Sequence, residues 1–412
     1  MTERATQQNR WLALPGMIFF LLAYALLGLK QADWRGFVMA AAVPLIFFGV
    51  IVILPRILPA DRILLSLVNF LSFLGILVLY RLNPERGFGQ FTNYAVGMVG
   101  MVGCLLLVRF WHRFKWTMPL IILASLAFMA LPLVMGTVKN GAKAWVSILG
   151  VNFQPSEVVK VSMLLVTSFL LSRRLVLPAL AFAGVCLGML FLQRDLGTAL
   201  LYYAITLILV YVSTGSLTFL ALGTLGAGAG ALVGYQMNTY VQNRVKIWQN
   251  PWEDPYGISY QVVQSMVAMV NGGPWGTGLG LGTSSVIPEV ETDFIFAAVF
   301  HEFGLIFGMC VILMFLLIFL RGVGIAKRSR SRFHTLLALG CSCFIAIQTF
   351  VIIGGNINLI PLTGVTLPFM SYGGTSMVCS LCIMGLLQGV ANANERGLEE
   401  DQLIAMLGED NA

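Results

Sequence analysis

Asp293 stands at the head of the apolar run FIFAAVF, so its carboxylate lies where the chain enters a hydrophobic helix. An acid in a first helical turn can simply complement the macrodipole. Glu291, two residues earlier, adds a chemical reading. Paired carboxylates push one proton affinity up or recruit a divalent cation, and either suits a general base. Glu157 and Lys160 are three apart after Pro155 and share one helical face. They read either as a helix start with a snorkelling lysine or as a cation held at the outer mouth for a phosphate. Asp195, beside Arg194 in QRDLGT, opens another apolar run as an ion pair, a cap or a site residue. Arg244 and Lys246 lie beside Trp248 and the turn-rich NPWEDPYG, placed to clamp phosphate or to touch lipid headgroups. The glycines of GGPWGTGLGLG (272–282) follow no nucleotide fingerprint and read as tight turns in a folded loop.

The elements that hold these residues are membrane helices. Of 412 residues, 58% are hydrophobic and 10% charged, against roughly 25% charged in a soluble domain. At about 20 residues per span, that apolar content suffices for roughly twelve helices. A soluble multidomain enzyme, a disordered chain, a coiled coil and a disulfide-stapled secreted module are excluded. Spans are expected near 11–29, 36–54, 62–80, 91–110, 116–135, 157–172, 175–192, 196–213, 217–238, 293–321, 335–355 and 367–393. All are read as helices, because open strands leave backbone groups unsatisfied in lipid. Two connections stand out: 136–156, with Lys139, Lys143 and Trp145, and the long 239–292, rich in Gly, Pro and Trp. A connection of that length is usually functional or disordered, and aromatic content argues for the former.

The net charge of +7 is spread along the chain, which reads as topology signals rather than a nucleic-acid surface. Basic residues fall 15 to 10 in favour of the side carrying both termini, and the dense group Lys327–Arg332 marks that side as cytoplasmic. The 239–292 loop then faces outward, as do NFQPSE (152–157), QRDLGT and NLIPLTGVTLP (358–368). Polar groups near spans are costly and usually functional, so their convergence predicts one outward-opening site. His301 is eight residues from Asp293 and partly shares its face, whereas Glu302 points away in an unbroken helix as a buried packing group. All seven cysteines lie in apolar runs, and the CxxC of Cys379 and Cys382 reads as helix packing. The first apolar run ends at Leu29–Lys30 without a signal-peptide cleavage pattern.

The order NGAKAW, NFQPSEVVK, QRDLGT, NPWEDPYGISYQVVQS, GTGLGLG, PEVETDFIF, HEFG and PLTGVTLPFMSYGG resembles the SEDS proteins of shape, elongation, division and sporulation (FtsW, RodA, SpoVE) over residues 62–393. The resemblance implies an all-α polytopic membrane protein. It would have a SEDS-like ten-helix core (62–393, including the 239–292 loop), an N-terminal extension with two further transmembrane helices (1–61) and a short acidic cytoplasmic tail (394–412). It also implies a peptidoglycan glycosyltransferase at the outer face of the bacterial cytoplasmic membrane, partnered by a class B penicillin-binding protein. The family's essential carboxylate matches Asp293, its lysine after QPSE matches Lys160, and its glutamate before Phe-Gly matches Glu302. Arg244, Asp254, Gln261 and Ser265 match positions in its outer loop. Three positions depart from the pattern. Asn152 and Ala144 stand where arginines are frequent, and Glu291 where histidine is usual.

On that resemblance Asp293 deprotonates the acceptor sugar's hydroxyl, which attacks the donor's anomeric carbon with inversion. Lys160, Arg244 and Lys246 are the cations for the leaving undecaprenyl pyrophosphate, with Glu157, Gln261 and Ser265 also contacting substrate. Glu291, Glu302, Asp195 and Asp254 support the site. Mg²⁺ or Mn²⁺ bound by Asp293 and Glu291 would share the charge. No organic cofactor is expected, and the other partners are lipid II, nascent glycan and membrane lipids. Rival readings are a lipid II flippase, a non-catalytic scaffold of the cell-wall machinery, and another outer-leaflet glycan polymerase or ligase. A flippase calls for polar groups across the bilayer or inverted repeats.

Overall fold

The computed structural model describes residues 3–139, 142–148 and 150–409. Among these, twelve helices are long and apolar enough to cross a membrane. The expected number stands, and the boundaries move. The fourth span begins at Pro84 and the sixth at Pro155. The last begins at Gly374, so residues 367–373, read from hydropathy as helix, are turn instead. That helix runs on to Glu409, so the acidic tail is helical up to there, and 410–412 fall outside the described residues.

Local signals fix the helix starts. Asp61 accepts a hydrogen bond from the Leu64 amide and Asp195 from that of Thr198, each an N-cap at a span's entrance. Asn83 accepts from the Glu85 and Arg86 amides, with Pro84 in the first turn. The connection 136–156 holds a small antiparallel sheet of Thr137–Lys139, Ala142–Ile148 and Val151–Phe153, paired in that order.

Four helices form the centre. In the 18-residue apolar stretches of Arg62–Leu82, Pro155–Ser172 and Gly374–Gly397, 78% of residues are buried, and 72% in that of Arg332–Asn356, whereas Leu217–Met237, at 6%, is peripheral. The two N-terminal spans, Ala13–Gln31 and Trp34–Ile57, pack on the central bundle. Phe19 contacts the rings of Phe70, Phe303 and Phe307. At the far end of that hairpin Lys30 donates to the Gly280 carbonyl (2.6 Å) and Tyr80 donates to Asp33 (3.0 Å).

The helix Ile295–Arg328 is interrupted at Gly304, whose φ of 86° and ψ of 174° break the spiral. The glycine-rich segment supplies the missing partners. Thr277 and Gly278 amides donate to the His301 and Glu302 carbonyls, and the Leu305 and Ile306 amides donate to Gly273 and Pro274. Irregular backbone at membrane depth persists only where protein satisfies it. The glycines of 272–282 are therefore more than turns of an outer loop: they line a helix break.

Candidate active site

The segment PEVETDF ends in a tight turn ahead of the 295–328 helix. The amides of Thr292 and Asp293 donate to the Glu289 carbonyl. Three side-chain or backbone donors then fix the turn's outward carbonyls. Tyr372 N–H holds the Glu291 carbonyl (2.7 Å), Ser371 Oγ that of Thr292 (2.6 Å), and Asn356 Nδ2 that of Asp293 (2.7 Å). Gln90 reaches from its helix to the Ser371 carbonyl (2.9 Å). The 371–373 turn, which hydropathy assigned to a helix, is thus the clamp that seats the carboxylate.

Asp293 is half-buried. Burial pushes its pKa up to about 6, Glu289 adds to the rise, and Arg244 and a hydrogen bond from Thr292 oppose it. The acidic neighbour that acts on it is therefore Glu289. Glu291, expected to share its environment, is paired instead with Arg86. Arg86 thereby cancels the extra anion that Glu291 introduces.

Arg244 comes from Thr239–Gln249, a helix inside the long connection. Its guanidinium donates to the Leu362 carbonyl and to Tyr240 Oη, and lies over the Tyr240 ring at 4.3 Å. Trp248 Nε1 donates to the Leu359 carbonyl (3.1 Å), and Asn358 returns a bond to the Trp248 carbonyl (3.1 Å). This helix is thus latched onto the 358–364 segment. Arg244, Trp248, Gln261 and Leu362 line a cleft of about 20 Å³, room for about one water.

Lys160 differs from its expected place at the outer mouth. It is 1% exposed, donates to Glu157 (2.6 Å) and Gln348 (3.3 Å), and faces the Phe344 ring at 5.2 Å. A cation so enclosed is committed to Glu157. Beside this pair, Asp195 accepts from Gln154 (2.8 Å), Ser156 (3.4 Å) and the Thr198 amide. Burial raises the Asp195 pKa against the bonds from Thr198 and Gln154. The polar motifs converge on one end of the bundle as expected, but as two clusters. The 362–366 segment joins them: Gln348 donates to the Thr366 carbonyl (2.7 Å), and Gly197 abuts the Thr363 carbonyl.

Other expected residues divide. Gln261 lines the cleft. Ser265 is fully buried against the Asn356 carbonyl (3.4 Å), a helix-packing contact. Asp254 is exposed and stabilises its own turn by accepting from the Ile258 amide (3.1 Å). Lys246 is exposed. Glu302 is buried as expected, ion-paired with Arg81 (2.6 Å) and accepting from the Gly280 amide and Ser284. His301 is held by the Ala268 carbonyl and the Thr283 amide and does not reach Asp293. Among the described residues no three His, Cys, Asp or Glu side chains cluster as a metal site. Glu291, expected as the second ligand of a divalent ion beside Asp293, is ion-paired with Arg86 instead, so the two carboxylates do not form a ready ligand pair.

Residues 54–396 match the sequence profile of the FtsW/RodA/SpoVE family, described as cell cycle proteins. Peptidoglycan glycosyltransferase RodA of Mycobacterium tuberculosis is 33% identical over 371 residues, spanning 82% of this chain and 79% of its own length. Stage V sporulation protein E of Bacillus subtilis is 33% identical over 319 residues, 73% of this chain and 86% of its own. The solved structure of the rod shape determining protein RodA of Thermus thermophilus superposes with a TM-score of 0.62 at 26% identity, covering 82% of this chain and 98% of that one. A chain from a structure concerned with polymerisation and crosslinking by a peptidoglycan synthase complex gives 0.68 at 26% identity, with the same coverage. The family match begins at residue 54, so the first span and nearly all of the second lie outside it.

Proposed function

This chain belongs to the FtsW/RodA/SpoVE family, and from that premise we propose that it is a peptidoglycan glycosyltransferase polymerising lipid II, with Asp293 as its general base. The observation that carries the assignment is the seating of Asp293. The turn that carries it is held at the Glu291, Thr292 and Asp293 carbonyls, its pKa is pushed up to about 6, and Arg244 stands beside it. A base poised near the working pH combines a usable ionised fraction with real basicity.

In the proposed step Asp293 takes the proton of the acceptor GlcNAc 4-hydroxyl. The freed oxygen pair attacks the donor MurNAc anomeric carbon from the face opposite the pyrophosphate. The bond from that carbon to the pyrophosphate oxygen breaks with its electron pair, giving inversion and releasing undecaprenyl pyrophosphate. Arg244 is the cation positioned to meet the charge gathering on the leaving group. Its present bonds to Leu362 and Tyr240 must exchange for phosphate oxygens, and the narrow cleft must widen for sugars to enter. Lys246, exposed on the same helix, adds charge at the rim. A bound Mg²⁺ or Mn²⁺ would neutralise further pyrophosphate charge.

The site lies on the outer side of the bacterial cytoplasmic membrane with both termini cytoplasmic, a reading supported by the basic group Lys327–Arg332 at the opposite end of the bundle. A class B penicillin-binding protein is the proposed partner, supported by the likeness to a chain of a peptidoglycan synthase complex. Purified protein, with and without its transpeptidase, is to be assayed for glycan chains from lipid II. Asp293→Asn should insert normally yet lose about 10²–10⁴ in rate. Retained polymerisation would remove Asp293 from the mechanism.

A further inference from the structure

At the end of the bundle opposite Asp293, several helix ends border an open cleft of about 370 Å³. Its ionisable lining is Arg109, His112, Lys115, Arg173 and His334, and among the described residues no carboxylate lines it. Trp111 and Phe333 stack along one wall with centroids 4.6 Å apart and planes 15° apart, and Phe169 meets both rings edge-on. Arg173 lies over the Phe169 ring at 4.5 Å, which orients the guanidinium and leaves its in-plane N–H groups available.

Two buried nitrogens at this cleft, Arg109 Nε and His334 Nε2, have no hydrogen-bond partner among the described residues. Buried polar atoms are otherwise almost always satisfied, and exceptions call for an explanation. The Arg332–Asn356 helix starts here with no side-chain bond at its N-cap, Ser331. Its first amides therefore add open donors and the positive end of a helix dipole. Basic residues at this end are expected as topology signals. That role requires neither an aromatic-walled cleft nor an orphaned buried guanidinium nitrogen.

We propose that this cleft binds a phosphate-bearing anion. The phosphoryl oxygens are taken by Arg109, Arg173, His334 and the helix N-terminus, and the Trp111–Phe333 wall packs against the ligand's apolar part. Basic pockets between membrane helices suit lipid phosphate headgroups, and a free phosphate offers the same oxygens. The proposal is independent of the role given to Asp293.

Full-length protein in detergent is titrated with phosphatidylglycerol, with phosphatidylcholine of the same acyl chains, and with inorganic pyrophosphate. Binding is read by native mass spectrometry for the lipids and by calorimetry for pyrophosphate. Phosphatidylglycerol should bind at least about tenfold more tightly than phosphatidylcholine, as expected for charge-assisted bonds. The Arg109→Gln/Arg173→Gln protein should lose that preference. Arg113→Gln, an exposed arginine of the same end outside the cleft, should keep it. Arg173 is itself exposed, so Arg173→Gln alone gives a folded variant whose preference should fall several-fold. Pyrophosphate binding with the same dependence on these arginines identifies a free phosphate as ligand. Lipid binding without it identifies a headgroup, and both outcomes support the site. An equal loss in Arg113→Gln, or no preference of the wild type for either anion, overturns it.

Discussion

Arg244 and Asp293 meet across Gly364. A Cβ placed on that glycine would lie 3.2 Å from an Arg244 guanidinium nitrogen and 3.8 Å from Asp293 Oδ2. Gly364 also has a φ of 73°, in the left-handed region that side chains disfavour. The approach of Arg244 to Asp293 thus depends on a residue that has no side chain. Gly364→Ala should displace Arg244 and lower lipid II polymerisation at least about tenfold, while costing only about 1–2 kcal/mol for the backbone conformation. Activity assays beside thermal unfolding in detergent separate the two. A variant of full activity would show that the Arg244–Asp293 approach does not matter.

The elevated Asp293 pKa sets a pH profile. A general base must be ionised, so kcat/KM should fall as pH drops through about 6 and level off above it. Arg244 opposes the rise, since a nearby cation favours the carboxylate. Arg244→Gln should therefore move the acidic limb to higher pH, besides slowing the reaction. Initial rates between pH 5 and pH 8 for both proteins provide the check. A limb that stays put or moves to lower pH would detach Arg244 from the base.

Twelve helices were legible because lipid demands about 20 apolar residues per span and leaves little freedom in composition. The shared end of the polar motifs was legible from the alternation of spans. Their partners were not. Arg86 finds Glu291 across 205 positions, and Ser371 finds the Thr292 carbonyl across 79, with no periodicity marking either. Asn356 and Ser371 carry no charge, so neither stood out within or beside an apolar run. The break at Gly304 was hidden because one glycine does not interrupt an apolar pattern. Only the glycine segment 30 positions earlier shows what satisfies it (Leu305 and Ile306 donate to Gly273 and Pro274).

Lys160 and Glu157 form a nearly inaccessible ion pair, 1% and 10% exposed. Removing one partner of such a pair strands the other and costs about 3–5 kcal/mol, whereas replacing both is often neutral. Lys160→Gln should thus unfold at markedly lower temperature, and Lys160→Met/Glu157→Leu, an apolar pair of similar volume, should recover most of the loss. A lysine serving chiefly to hold pyrophosphate predicts the reverse pattern. The single variant would then keep its stability with a raised KM, and the second substitution would rescue nothing.

Gly304 and Gly276 interlock at the helix break, and that contact has its own signature. A Cβ on Gly304 would lie 2.5 Å from the Pro274 carbonyl oxygen, and one on Gly276 would lie 2.6 Å from the Gly304 amide nitrogen. Both residues have positive φ, 86° and 82°. Alanine at either should separate the glycine segment from the helix and leave the His301 and Glu302 carbonyls without Thr277 and Gly278. Each unmet buried group costs about 1–3 kcal/mol, so either variant alone should lower the unfolding temperature strongly. The double variant should then cost clearly less than the two single losses combined, because residues sharing one contact are not additive. Strict additivity in detergent unfolding would show that the two glycines are constrained separately, each by its own backbone conformation.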